Sequence, residues 1–300
     1  MPQFIQELPK AEIHLHLEGS LTPQTLRELD PEAPADLYAF AGFDGFLEAF
    51  GQVVKRIREP RDYALVTRRL LERLAAENVR YAEIILSAGV VLWKEQEFAP
   101  VFEAVTEAAG DSPVQVRWIV DAVRHFGVEH CMRVAELAAE RVDRGVVAYG
   151  IGGNEERGPA GWFGEVFRFA REKGLHLTAH AGEACGPESV WAALEIGAER
   201  IGHGIRAIED PVLVKHLRDH RIPLEISLTS NVITGVVRSL DAHPVRRLYN
   251  AGVPVTLNTD DPGIFGTTLN REYELAAEWF GFGESDLRAI AENGFRYAFK

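Results

Sequence analysis

Three hundred residues with a formal net charge of −13, 46% hydrophobic and 26% charged, fit one α/β barrel of about 250 residues or two ordinary domains. The acidic balance excludes a nucleic-acid partner held by clustered Lys and Arg, and no apolar run approaches the ~18 residues of a membrane span. Cys131 and Cys185 stand far apart and form no CxxC, so any metal must be held by histidine and carboxylate.

The opening MPQFIQELPK lacks the basic-then-apolar pattern of a signal peptide, and the expected location is cytoplasmic. Next comes Ala11–Gly19 (AEIHLHLEG), which alternates like a strand and sends His14 and His16 to one face, half of a metal site. An isolated HxH is more often a packed histidine beside a chance neighbour, so the weight falls on ligand-type residues further along the chain. Thr22-Pro23 opens a helix, residues 31–40 read as a loop or short helix, and 43–57 carries Phe43, Phe46, Leu47 and Phe50 on one helical side. Such a stripe is either plain core or a lid. The nearest basic cluster, KRIREPR at 55–61, is broken by Glu59 and Pro60 and reads as a solvated helix end.

From there helices and strands alternate. Helix 62–77 precedes strand 80–87, helix 97–109 precedes strand 114–121, and helix 128–141 precedes strand 145–152. Helix 161–173 leads to strand 175–180, helix 188–196 to strand 200–203, helix 211–220 to strand 223–229, and helix 244–251 to strand 253–259. Helices 268–280 and 284–298 close the chain. Eight strand–helix units without a linker predict a single (β/α)8 TIM barrel over 1–300, with a helical lid insertion around 36–60.

Reactive residues fall at strand C-terminal ends, which converge on one face of a barrel. His14 and His16 lie late in the first strand, His180 ends the fifth, His203 the sixth, and Asp260-Asp261 the eighth. Three histidines and a carboxylate suit zinc and leave a position for water, whose acidification supplies a nucleophile at neutral pH. Glu183, three residues after His180 in HAGE, can reach the same pocket as a general acid or base without ligating the metal. Adjacent carboxylates at 260 and 261 repel unless a cation or hydrogen-bond donors compensate.

Other features read as structure. His216 and His220 sit four apart on a helix but lack the HExxH glutamate, and Gly150–Gly164 has neither a Walker lysine nor GxGxxG. Ser230-Asn231 follows a strand without GxSxG, which argues against a hydrolase serine. His125, His130, His176 and His243 have no matching partners and read as surface or packing residues, and Cys185 as a small buried filler.

With LPKAEIHLHLEGSL, GGNE, HAGE, RIGHG, SLTSN and NTDDPGIFGTTL in order, the chain resembles the adenosine deaminase family of the amidohydrolase superfamily from about residue 8 to nearly its end. The resemblance implies one Zn2+ per chain held by His14, His16, His180 and Asp260, and a purine nucleoside as substrate. It further implies that Glu183 protonates the purine ring and that His203 orients and helps deprotonate the attacking water while stabilising the oxyanion. Asp261 and the backbone of Gly153 would contact the purine, Glu18 would lie near the sugar 5′ end, His16 would also contact the substrate, and Phe46, Leu47 and Phe50 would form a hydrophobic lid. Glu18 and Asn154 stand where typical adenosine deaminases have Asp. Together with HLEGS and LTSN they resemble bacterial relatives acting on 5′-modified adenine nucleosides, with 6-aminodeoxyfutalosine of menaquinone biosynthesis the first reading and adenosine the second. Adenine deaminases of the family tend to read RIDHG and CPLSN, which are absent. Related amidohydrolases with a second metal use a carboxylated lysine after strand four, where this chain has Gly150-Ile151-Gly152. A barrel that had lost catalysis would lack a ligand or Glu183, and none is missing.

Overall fold

The computed structural model describes residues 1–34 and 36–300. Strands β1 (Lys10–His16), β2 (Val79–Leu86), β3 (Gln115–Val123), β4 (Val146–Gly152), β5 (His176–Ala181), β6 (Arg200–His203), β7 (Leu224–Ile226) and β8 (Val255–Leu257) pair in parallel in chain order. Most of their Val, Ile, Leu and Ala side chains are buried, as parallel strands covered by helices require. The barrel closes without a full ladder between β8 and β1. Leu15 and Asp260 form an isolated parallel bridge, His16 N–H donates to the Asp260 carbonyl at 2.8 Å, and Asp260 N–H donates to the His14 carbonyl at 3.2 Å. The side-chain oxygen of Asn258 accepts from Ile13 N–H at 3.1 Å where a backbone carbonyl would otherwise serve. The seam therefore ties the HxH segment to the NTDD segment, and the expected (β/α)8 barrel is the fold observed.

The interior is polar along one line. Arg200, fully buried, forms ion pairs with Glu83 at 2.7 Å and Glu225 at 2.6 Å and lies 3.7 Å from the ring centroid of Phe299. Phe299 in turn packs on Ile85, Ile119 and Ala148 and stacks on His176. A buried charge held this way is matched on both sides, which offsets its desolvation.

Tertiary contacts correct four expectations. The strand expected over 223–229 stops at Ile226, and Leu228–Ile233 is a helix. Its first N–H groups are claimed by Glu272, which accepts from Leu228 N–H at 2.8 Å and Thr229 N–H at 3.2 Å, a cap supplied from 44 residues away. Strand 253–259 contracts to Val255–Leu257 because Thr259 turns to donate to Glu12 through both N–H (2.6 Å) and hydroxyl (2.7 Å). The helix expected over 43–57 runs Gly42–Val54, with Lys94 donating to the carbonyls of Val54 (3.1 Å) and Ile57 (2.6 Å) beyond its end. A short helix, Ala88–Trp93, succeeds β2 where none was expected. Of the segment 31–40, Ala35 lies outside the described residues and the others are turns and backbone without regular structure. Among the described residues no helix is long and apolar enough to cross a membrane.

Candidate active site

At the C-terminal ends of the strands one ligand atom from each of His14, His16, His180 and Asp260 lies within 4.8 Å of the others. Period-two geometry in β1 brings the first two, β5 the third, and the bridge to Leu15 the fourth. Asp260 sits at φ +63° and His203 at φ +59°, the left-handed region that non-glycine residues adopt at a cost of roughly 1–3 kcal/mol. Both backbones are bent so that their side chains face the same space.

The residues fit a divalent cation by their tautomers. His14 Nδ1 lies 2.6 Å from Glu225 Oε2 and donates to it, which leaves Nε2 facing the cluster without a hydrogen-bond partner. His180 Nδ1 donates to the Ile151 carbonyl at 3.2 Å, so its Nε2, 3.2 Å from His16 Nε2, is likewise a lone pair aimed inward. Asp260 Oδ1 stands 3.4 Å from Nε2 of both His14 and His16, while Oδ2 accepts from Ser230 Oγ at 2.7 Å. Lone pairs converging from three imidazoles, those of His14 and His180 each oriented by a second partner, form a cation's donor set.

Glu183 is buried, with Oε2 3.6 Å from His203 Nε2. Its loop is organised by Glu155, whose carboxylate accepts from the N–H of Gly182 (2.8 Å), Glu183 (3.0 Å) and Ala184 (2.8 Å) and from the Ser189 hydroxyl. Arg124 donates to the His180 carbonyl from beneath. Burial, then the charges of Asp260 and Glu155, push Glu183 well above the usual carboxylate range. Asp261 is raised by burial and by Asp260, whereas Asp260 is held well below its usual value: its burial is outweighed by the neighbouring His14 and the surrounding imidazoles. Asp261 Oδ1 is buried without a partner, and its carboxyl occupies the place a Cβ on Gly19 would take, 1.5 Å away. That is a physical reason for glycine after HLE.

The cavity continues outward between the helix Gly42–Val54, the helix Ala88–Trp93 and the turn Arg124–Phe126. Phe46, Leu47 and Phe50 line it together with Phe43, Trp93 and Phe126, and Gly153, at φ +88°, lines its inner wall. Among the described residues that line it, none is Lys or Arg. Glu18 does not line it. Contrary to the expectation from sequence, that carboxylate is fully buried behind Ser87, whose N–H donates to it at 3.1 Å.

Several buried acids of the site were not singled out as site residues from sequence: Glu225 and Asp121 lie in no quoted motif, and Glu155 is the last residue of GGNE. His125, read as surface or packing, lines the cavity. His243, read the same way, is buried and reaches Asn231, which in turn reaches His203. Ser230 and Asn231 are positioning groups for Asp260 and His203 and not nucleophiles. Cys185 is half-exposed, not buried, with a thiol pushed up to about 11 by burial and neighbouring carboxylates. His216 and His220 stack on an outer helix away from the cavity.

The model of the adenosine deaminase family matches residues 9–300. The chain is 39% identical to the aminodeoxyfutalosine deaminase of Streptomyces coelicolor over 314 residues, covering 99% of this chain and 81% of that protein. It is 38% identical to the adenine deaminase of Rhizobium leguminosarum bv. trifolii over 305 residues, with coverages of 97% and 95%. The crystal structure of adenine deaminase from Arthrobacter aurescens superposes with a TM-score of 0.91 at 28% identity, covering 98% of this chain and 94% of that one.

Proposed function

The chain belongs to the adenosine deaminase family, and from that premise we propose that it hydrolyses the exocyclic C6–N bond of an adenine nucleoside, water entering and ammonia leaving. His14, His16, His180 and Asp260 would hold one zinc ion, which when bound lowers the pKa of a water toward neutrality. Glu183, protonated because it is buried beside carboxylates, donates to the purine ring nitrogen next to the attacked carbon and makes that carbon electrophilic. His203, 3.6 Å from Glu183, orients the incoming oxygen and stabilises the charge it develops. Asp261, raised by burial and by Asp260, offers a hydrogen bond to the imidazole half of the purine, and Gly153 lets the pyrimidine half approach the backbone. Helix Gly42–Val54 acts as a lid over the base and excludes water.

The apolar outer half of the cavity carries the choice of substrate. Aromatic rings and aliphatic side chains without a facing Lys or Arg give nothing to bind a phosphate, and the site's carboxyl groups disfavour one. A free adenine base would leave this surface uncovered. A nucleoside extended at its 5′ side by an apolar or aromatic group would fill it, and aminodeoxyfutalosine is such a nucleoside. The test is loss of adenine absorbance on zinc-loaded protein with adenine, adenosine, 5′-AMP, 5′-methylthioadenosine and aminodeoxyfutalosine. We expect the highest kcat/KM for aminodeoxyfutalosine and none for 5′-AMP, and a strong preference for adenosine or adenine would overturn the substrate assignment.

A further inference from the structure

Resting on the deaminase reading, we infer that His243 and Asn231 are positioning residues whose hydrogen bonds lock His203 in the tautomer with its proton on Nε2. His203 then meets the reacting oxygen as a hydrogen-bond donor and not as a proton acceptor. The relay begins at the backbone. Val245 N–H, a free donor in the first turn of helix Val245–Asn250, donates to His243 Nδ1 at 3.1 Å. A neutral imidazole that accepts at Nδ1 carries its hydrogen on Nε2. His243 Nε2 lies 3.1 Å from Asn231 Oδ1, so the amide oxygen is the acceptor there. The amide nitrogen is thereby turned to His203 Nδ1 at 3.0 Å, and that nitrogen must accept. The remaining hydrogen of His203 sits on Nε2, which faces Glu183 Oε2 at 3.6 Å and Asp260 Oδ2 at 3.9 Å.

The reverse orientation of the amide does not close. It would require His243 to accept on both ring nitrogens, which no neutral imidazole does, or Val245 N–H to face a second N–H. His203, Asn231 and His243 are all buried, so bulk water does not compete for these groups. Burial also pushes His243 down to about 3, which keeps it neutral. The role implied for His203 by family resemblance divides accordingly: orientation of the water and stabilisation of the oxyanion fit the locked tautomer, and deprotonation of the water does not. The partners lie 28 and 12 residues apart in sequence, at positions that carry no motif linking them.

The test reads the tautomer directly, by long-range 1H–15N correlation spectra of zinc-loaded protein labelled with 15N-histidine. We expect a protonated-type Nε2 and an unprotonated-type Nδ1 for His203, and the opposite or an averaged pattern overturns the inference. Asn231→Asp, whose carboxylate accepts from both rings, should reverse the pattern and lower kcat about 100-fold with KM changed less than about threefold. His243→Leu removes the donor that fixes the amide and should give an averaged pattern with reduced kcat, while His243→Gln, which can still donate, should restore both. A wild-type pattern in His243→Leu refutes the relay even if Asn231→Asp fails to fold. Protein that shows the Nε2 tautomer yet turns over no adenine compound overturns the deaminase reading and leaves the lock standing.

Discussion

The floor and the outer wall of the cavity are built on opposite principles. On the floor four reactive side chains are each held by a second partner: His14 has Glu225, His180 the Ile151 carbonyl, Asp260 has Ser230, and His203 has Asn231. The wall is held by apolar packing. Phe46 touches Phe40, Phe43, Phe50 and Phe265 with ring centroids 5.0–6.2 Å apart, and its helix begins at Ala41 without a side-chain cap and contains Gly42, Gly45 and Gly51. Directional bonds fix atoms to the accuracy that proton transfer needs, whereas packing among rings permits the wall to adapt to what it covers. Chemistry should therefore fail sharply when the floor is altered, and recognition should fail gradually when the wall is.

The largest effect is expected from the converging donors themselves. Asp260→Ala or His16→Ala should abolish stoichiometric zinc, measured by elemental analysis, and bring deamination to background, as should chelation of the native protein. Retained zinc and turnover in either variant would dissolve the distinction between floor and wall. Next, Glu183→Gln should keep its zinc and lose about 10²–10⁴-fold in kcat. The sign of its pH dependence is set by its raised pKa: the active, protonated form predominates below that pKa, so kcat/KM falls as pH rises through it. That alkaline limb should be absent from the residual activity of Glu183→Gln.

Glu225→Gln probes the floor one bond further out. The His14 ring would lose the carboxylate that orients it, and zinc affinity by competition with a chromogenic chelator should drop about 10- to 100-fold. Arg200 would keep Glu83 as its remaining ion-pair partner, and the melting temperature should fall as well. The smallest effect sharpens the comparison from the wall's side. Phe46→Ala should raise KM for aminodeoxyfutalosine about 10-fold, ~1.4 kcal/mol, with kcat and zinc content little changed. An equal loss in kcat would mean that the wall takes part in positioning the reacting atoms.

The legible part of the fold was that written in local periodicity. Helices with a matched cap and a continuous stripe, such as Pro60–Ala76 with its Glu59/Asp62 capping box, fell within about two residues of expectation. Ranges failed where a distant side chain took over, as Glu272 does at Leu228 and Thr229, because no window of sequence contains both ends of such a bond. The same division runs through the site. His14, His16, His180, His203, Asp260 and Asp261 could be singled out because they lie late in or just after expected strands, and Glu183 because it follows His180 by three residues, since a barrel gathers strand ends on one face.

By itself, then, the order of residues determined the barrel, the face that carries chemistry and the types of group gathered there, since strand period and chain order are properties of neighbours. Only the tertiary structure decided their surroundings: Glu183 and Asp261 pushed above the usual carboxylate range, Asp260 held below it, and His14 turned by Glu225. It also decided that Glu18 lies behind the wall and that His243 belongs to the site. Protonation and hydrogen-bond direction depend on burial and on partners brought close by folding, and these are fixed by distances through space and not along the chain.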